Sequence, residues 1–223
     1  MHTPNRAHEI THRANVDAPT NDVRRGALAA VHEVNEQLLD ALCEAAATDR
    51  EHFPLPHAVR SRLAQMTSGD RHRAAHCGFL LADAGFSDSP RWSKALSKST
   101  LSNPADPWAH WSSLDQALAL AHSTLFVAWQ IVRTSPALAG VLLGVPSQSA
   151  AAYAQIGVRD LAYIAQRNPH WIEPRWPHRL EIWNSLLDLA STVEDLSPVC
   201  LTLRCLQLSG GHAPWLATFV AAA

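Results

Sequence analysis

Residues 114–134 read LDQALALAHSTLFVAWQIVRT, and this stretch decides the fold class. Its apolar side chains recur at alternating steps of four and three, which keeps one seam of a helix facing a partner helix. The predicted seam consists of Leu114, Leu118, Ala121, Leu125, Ala128 and Val132. Ser113 followed by Gln116 is typical of a capping box, so the pattern predicts a helix over 113–134.

A second long amphipathic helix is predicted over residues 22–48, because its apolar positions are also spaced by threes, fours and sevens. These positions are Leu28, Val31, Leu38, Leu39 and Leu42. Alanine and leucine dominate the apolar 47% of the chain, whereas the β-branched and aromatic residues that strands prefer come singly. The fold class is therefore predicted to be all-α.

The chain also matches itself at a shift of ninety positions, or ninety-one near the end of each copy. The matched pairs are 55–56 with 145–146, 63–66 with 153–156, Asp70 with Asp160, Ala75 with Ala165, Trp92 with Trp183, and Leu96 with Leu187. Alanines are abundant enough to match by chance. Chance is a poorer explanation for Pro, Gln, Asp and Trp recurring in the same order in both copies. We therefore predict two diverged copies of one helical unit.

The organisation that follows has five segments. Residues 1–21 form a flexible arm without an apolar run, and residues 22–99 form unit one. Residues 100–112, rich in Ser and Pro, form a linker whose tryptophans pack on one of the units. Residues 113–192 form unit two, and residues 193–223 form a helical C-terminal tail.

Charge and cysteine content exclude several classes of protein. A net charge of -2 gives no overall attraction to nucleic acid or anionic lipid. No apolar run is long enough to span a bilayer, and no export signal is present, so a cytoplasmic protein without a membrane is predicted. The cysteines are spaced too irregularly for a disulfide framework and are expected to be reduced; they are Cys43, Cys77, Cys200 and Cys205.

Unit two carries a pattern that is similar to a known family. The residues concerned are VAWQIVR at 127–133, Ala139, LGV at 143–145, YAQI at 153–156, Leu161, IA at 164–165, Asn168 and RW at 175–176. Through Asn168 they resemble, without a gap, the FlhD family of bacterial flagellar regulators, and residues 175–176 sit where that family has an Arg-Phe pair. The resemblance covers roughly forty-five residues. Unit one resembles the same family less closely, at Asn35, Leu38, Asp49, Leu63 and 86–88.

The resemblance implies both a fold and a function. FlhD proteins are small and helical, dimerise through intertwined long helices, and activate flagellar genes together with the zinc-binding partner FlhC. Two fused FlhD-like units would then pack as an intramolecular pseudo-dimer. The predicted function is a transcriptional regulator acting through protein–protein contacts, with a FlhC-like partner and DNA contacted only within a complex. The alternative is a helical interaction module, scaffold or chaperone outside transcription.

Catalytic patterns do not occur: the chain has no G-x-S-x-G, no P-loop and no H-E-x-x-H. We therefore predict that the protein is not an enzyme and uses no cofactor. His72 and His76, one helical turn apart beside Asp70 and Cys77, are the nearest metal candidate. Since thirteen histidines are scattered through the chain, a pair at this spacing is unsurprising, and no metal is predicted.

Two groups of basic residues are candidates for contacts with other molecules. Arg175, Trp176, His178 and Arg179 are predicted to bind a protein partner, because Trp and Arg dominate interaction hot spots. The alternative is that Trp176 and Trp183 cap the core of the unit while the arginines lie along them.

The second group lies in a possible helix-turn-helix, with a helix from residue 146, a turn at Gly157 and a helix from Val158. Arg159 and Arg167 on that second helix are the predicted DNA contacts, with Gln166 beside them. Packing inside the unit is the alternative role of these helices.

Overall fold

The computed structural model describes residues 17–48, 53–96 and 111–192. The first part of the chain contains α1 (Asp17–Ala47), α2 (His57–Leu63), α3 (Ser68–Ala75), β1 (Ala82–Asp83) and α4 (Ser89–Leu96). The second part contains α5 (Leu114–Thr134), α6 (Pro136–Leu138), α7 (Ser147–Ala154), α8 (Val158–Arg167), β2 (Glu173–Pro174) and α9 (Leu180–Ser191). A π-helical turn follows α6 and a 3-10 turn follows α8. The described residues are mostly helical, as the residue spacing predicted.

Helices α1 and α5 form an antiparallel pair at the centre of the fold. Near the end of α1, Glu44 accepts a hydrogen bond of 2.8 Å from the side-chain amide of Gln116 near the start of α5. The opposite ends of the two helices also meet, where Gly26 and Ala27 line a shallow groove with Gln130 and Thr134. The predicted apolar face of α1 is buried at Val31, Leu38, Leu39 and Leu42. α1 begins at Asp17, earlier than the predicted start at residue 22.

The buried face of α5 is wider than the predicted seam and shifted in its first turns. Its buried residues are Ala117, Leu120, Ala121, Thr124, Leu125, Ala128, Ile131 and Val132. Leu114 is 38% exposed and Leu118 is only partly buried, so the prediction was wrong at these two positions. A seam of 3.5 residues per turn drifts away from the buried face of a straight helix, and in α5 the error falls in the first two turns.

The predicted N-terminal cap of α5 is confirmed. The Ser113 hydroxyl accepts a hydrogen bond of 3.1 Å from the backbone N–H of Gln116. The Gln116 side-chain oxygen returns a bond of 3.1 Å, but it accepts from the N–H of Ser112 rather than from that of Ser113. The cap therefore satisfies one backbone donor of the first helical turn, that of Gln116, and the N–H of Ser112 just before the helix.

The strand and final helix of each part pack against the other part of the chain. Strands β1 and β2 pair in antiparallel fashion, with Ala82 opposite Pro174 and Asp83 opposite Glu173. Helix α9 packs on α2 and α3, and α4 packs on α7. One contiguous set of buried apolar residues therefore runs through both parts of the chain.

Specific polar contacts fix α9 on the first part. The Arg62 guanidinium on α2 lies 2.7 Å from the Asp188 carboxylate and donates to the Asn184 side chain. The Arg73 Nε on α3 donates to the Ala190 carbonyl at 2.6 Å. These contacts hold the end of the second part against helices that precede it by more than one hundred residues.

Several predictions concern residues outside the described ranges. They are the arm up to residue 16, residues 100–110 of the linker with Trp108, and the tail 193–223 with Cys200 and Cys205. Trp111, at the end of the predicted linker, is fully buried. In the described ranges no individual helix has the length and apolarity to cross a membrane; the bent pair Pro136–Leu143 and Gln148–Ala154 meets that test only jointly.

Candidate functional site

Helices α7 and α8 form the helix–turn–helix that the sequence suggested. α7 ends at Ala154, a short turn follows, and Gly157 in an extended conformation precedes α8. The inner face of α8 buries Leu161, Ile164 and Ala165, and this face packs on α5. The packing fixes which face of α8 points to solvent.

The outer face of α8 is basic and aromatic. It exposes four side chains at helical spacing, which we call the α8 stripe: Arg159, Tyr163, Gln166 and Arg167. Tyr163 is 46% exposed, and the Arg167 guanidinium lies 5.8 Å from the centre of its ring. Guanidinium, amide and phenol groups on one open face can contact phosphates, bases or the acidic surface of another protein. Both predicted DNA-contact residues are therefore accessible.

Arg175, by contrast, makes contacts within the fold. Its backbone N–H donates to the Leu81 carbonyl at 2.7 Å, next to the β1–β2 pair. Its guanidinium lies against Gly144, so closely that a Cβ atom there would sit 1.8 Å from Nη2. Burial lowers the pKa of the Arg175 guanidinium, while the Asp83 carboxylate opposes that shift. Arg175 thus connects the two parts of the chain, and Gly144 provides the room.

The other three residues of this predicted site differ in accessibility. Trp176, with a positive φ of 54°, packs edge-on against Phe79 at 5.3 Å and under the Arg175 guanidinium at 4.5 Å. His178 is exposed, and Arg179 forms an ion pair with Glu181 that lowers the pKa of that carboxyl. His178, the open part of Trp176 and the Arg179 side chain, which is 43% exposed, are the accessible portion of the set.

Trp183 belongs to the core. It is 1% exposed, and its indole N–H donates to the Arg175 carbonyl at 3.1 Å. Trp92 is buried to a similar degree and donates to the Gly85 carbonyl at 3.0 Å. The N–H of a buried Trp usually finds an acceptor, and both of these do.

A separate cluster of titratable groups lies where α3 packs on α1. The His72 Nδ1 lies 2.6 Å from a carboxylate oxygen of Glu36, and the His76 ring centre lies 4.1 Å from that of His72. The ligand atoms of Glu36, His72 and His76 all lie within 4.8 Å of one another. His32, one turn before Glu36 on α1, places its ring 4.4 Å from that of His76.

Two predicted neighbours of this cluster have other partners. Asp70 forms the capping box of α3 with Thr67, which lowers the pKa of the Asp70 carboxyl. The Cys77 thiol is buried and donates to the Phe79 carbonyl at 3.3 Å. Glu36 takes their place in the cluster. Local spacing could not reveal it, because Glu36 is far from His72 in the sequence and meets it only through the packing of α1 on α3.

Burial also sets the protonation of two side chains on α1. Desolvation lowers the pKa of His32 to about 4, so its ring is neutral at pH 7. Desolvation raises the pKa of the Cys43 thiol to about 11, so the thiol is protonated and a poor nucleophile.

Both groups of predicted contact residues therefore lie in the second part of the chain, whereas the histidine–glutamate cluster lies in the first. Arg175 acts within the fold, and the α8 stripe is open to solvent. Comparisons with protein-family models, with characterised proteins and with solved structures found no match to this chain.

Proposed function

We propose that the chain is a FlhD-like regulator whose two units pack as an intramolecular pseudo-dimer, and that it acts through protein–protein contacts. In this proposal it joins a FlhC-like partner in a cytoplasmic complex bound to DNA. The observation that carries the proposal is the reciprocal exchange of the last helices: α9 packs on α2 and α3, and α4 packs on α7. An intertwined dimer has this arrangement between two chains, and here one chain supplies both copies.

The strand pair supports the same relation. At the shift of ninety-one residues, Ala82 in β1 corresponds to residue 173 in β2, and Pro174 in β2 corresponds to residue 83 in β1. Exchanging the two units therefore converts the pair 82–174 into the other pair of the sheet, 83–173. Such a register is what a two-fold axis through the middle of the strand pair produces. The two units would therefore be related by that axis.

The repeated residues occupy corresponding places. Pro56 and Pro146 precede the first turns of α2 and α7. Ala75 and Ala165 are fully buried at the ends of α3 and α8. Such pairs support descent of both units from one ancestor, since each residue meets the same local requirement in both.

The α8 stripe supports a contact with DNA that is shared with a partner. Two arginines on one helix provide few phosphate contacts, and the net charge of -2 adds no general attraction. High affinity for DNA therefore requires a second protein. Trp176, His178 and Arg179 are the accessible aromatic and basic groups with which the chain would contact that protein.

Affinity capture of the full chain from cells of its source tests this function. Recovery of a FlhC-like protein, an RNA polymerase component or specific DNA is the expected result. Recovery of an unrelated partner alone would favour the scaffold or chaperone role, and the transcription part of the proposal would then fail. Light scattering on the purified chain tests the pseudo-dimer: a monomer is expected, and a tight dimer would contradict it.

A charge-matched pair of variants tests the α8 stripe. In the recovered complex, Arg159→Ala with Arg167→Ala should weaken DNA binding and reduce the salt slope by about 2, since each phosphate contact contributes about 1. Arg24→Ala with Arg25→Ala removes the same charge from exposed positions on α1 and should leave binding unchanged. Equal effects of the two pairs would show that the stripe is not the contact.

A further inference from the structure

The cluster between α1 and α3 has the composition of a metal site. We propose that Glu36, His72 and His76 bind one divalent transition-metal ion, with Zn²⁺ the best match. Two imidazoles and one carboxylate are a donor set typical of zinc, and the set suits Ca²⁺ and Mg²⁺ poorly because these prefer oxygen ligands alone. This site is independent of the proposed regulatory function, which rests on other residues.

The helix packing already brings the donors together. His72 and His76 are one turn apart at the end of α3, so they face the same side, and Glu36 reaches that side from α1. In a tetrahedral zinc site with bonds of about 2.0–2.2 Å, ligand atoms lie roughly 3.3–3.6 Å apart. The present separations of at most 4.8 Å close to that value by small side-chain rotations.

The hydrogen bonds prepare two of the ligands. The His76 Nδ1 faces the His72 carbonyl oxygen at 2.7 Å, and since a carbonyl only accepts, this nitrogen carries the proton. In the neutral ring this leaves the Nε2 of His76 as the nitrogen that can bind a metal. A backbone carbonyl on the other ring nitrogen is a usual second contact of a metal-binding histidine. The His72 Nδ1 lies in hydrogen-bond contact with the Glu36 carboxylate at 2.6 Å, and a metal ion would take the place of the hydrogen between them.

The surroundings favour an ion that enters from solvent. His72 is exposed, while Glu36 and His76 are partly exposed, so a fourth coordination position is open to water or to a side chain of another protein. Behind His76, the ring of His32 supports it, and the Nε2 of His32 is buried without a hydrogen-bond partner in the described residues. Binding would link α1 to α3 and would stabilise the folded chain.

The alternative to a metal site is an exposed ion pair between His72 and Glu36 with the His76 ring beside it. Such a pair contributes little to the stability of the fold. Calorimetric titration of the tag-free, chelator-treated full chain with Zn²⁺ distinguishes the two. We expect one Zn²⁺ per chain. His72→Ala with His76→Ala should weaken binding by about 100-fold or more, since losing a supporting group of a zinc ligand already costs about 10–100-fold.

Two further measurements keep the test decisive. Glu36→Gln preserves size and should weaken binding of Zn²⁺ without changing the circular dichroism of the metal-free chain. His57→Ala, at an exposed histidine on α2, is the matched control and should bind as the unaltered chain does. Absence of stoichiometric binding, or equal binding by the His72/His76 double variant, would overturn the proposal and assign any bound zinc to histidines elsewhere.

Discussion

Helices α3 and α8 hold corresponding places in the two parts of the chain, but their outer faces differ. Each packs on the long helix of its own part, and each has an aspartate in its first turn, Asp70 and Asp160. The outer face of α3 presents His72 toward Glu36, whereas that of α8 presents the α8 stripe. The core constrains the inner faces to similar small and apolar residues. The outer faces meet no such constraint, and they carry different chemistry.

The interiors of the two parts also satisfy their polar groups differently. On α1, Asn35 is fully buried and binds the Ala75 and Phe79 carbonyls and the Leu81 N–H, at 3.1, 2.9 and 2.7 Å. The second part uses aromatic side chains instead: the Tyr153 hydroxyl donates to Leu125 and the Trp129 indole to Ile156. The Trp129 indole thus pairs a carbonyl in the turn between α7 and α8, as Asn35 pairs backbone groups near α3. The Tyr153 contact instead gives a buried hydroxyl an acceptor on the side of α5.

The largest expected effect tests whether the two parts depend on each other. Trp92 lies in α4 but packs on Tyr153 and Trp171 of the second part, at 4.8 and 5.4 Å. Trp92→Ala and Trp183→Ala should each lower the free energy of unfolding by about 3–5 kcal/mol. Urea unfolding followed by circular dichroism should remain a single transition. Two separate transitions, with Trp92→Ala affecting only the first part, would contradict the shared core.

A somewhat smaller effect is expected at Asn35. Asn35→Leu leaves the Leu81 N–H and the Ala75 carbonyl buried without their Asn35 partner, while the Phe79 carbonyl keeps the Cys77 thiol. The loss should be about 3 kcal/mol, since each buried unpaired group costs about 1–3 kcal/mol. Chemical denaturation measures this loss. Thr124→Val on α5 is the control: the Thr124 hydroxyl is buried without a hydrogen-bond partner in the described residues, so its removal should be neutral or stabilising. A comparable loss at both positions would show that the Asn35 contacts are unimportant.

The smallest effect concerns the turns after the strands. Gly85 and Trp176 occupy corresponding positions with φ of 66° and 54°, but only glycine adopts this region without strain. Gly85→Ala should destabilise the chain by about 1–2 kcal/mol, because an L side chain is disfavoured there. Gly26→Ala, in α1 with open space around it, should instead stabilise by about 1 kcal/mol. Thermal unfolding of both variants measures the contrast, and a shift of the same sign in both would refute it.

The sequence alone determined the local features of this protein. The two long helices, the Ser113 cap and the turn between α7 and α8 all follow from neighbours three or four residues apart. Such interactions join residues close together in the sequence, so they can be predicted without knowing which distant residues are in contact.

Only the tertiary structure decided which distant groups meet. The two-residue strands carry no periodic pattern, so their pairing was not predicted. Packing also placed Arg175 against Gly144, turned Leu114 toward solvent and joined Glu36 to His72 and His76. These outcomes depend on which helices pack together. Several helices have similar apolar faces, so the pairing is set by how closely many side chains distant in sequence pack against one another.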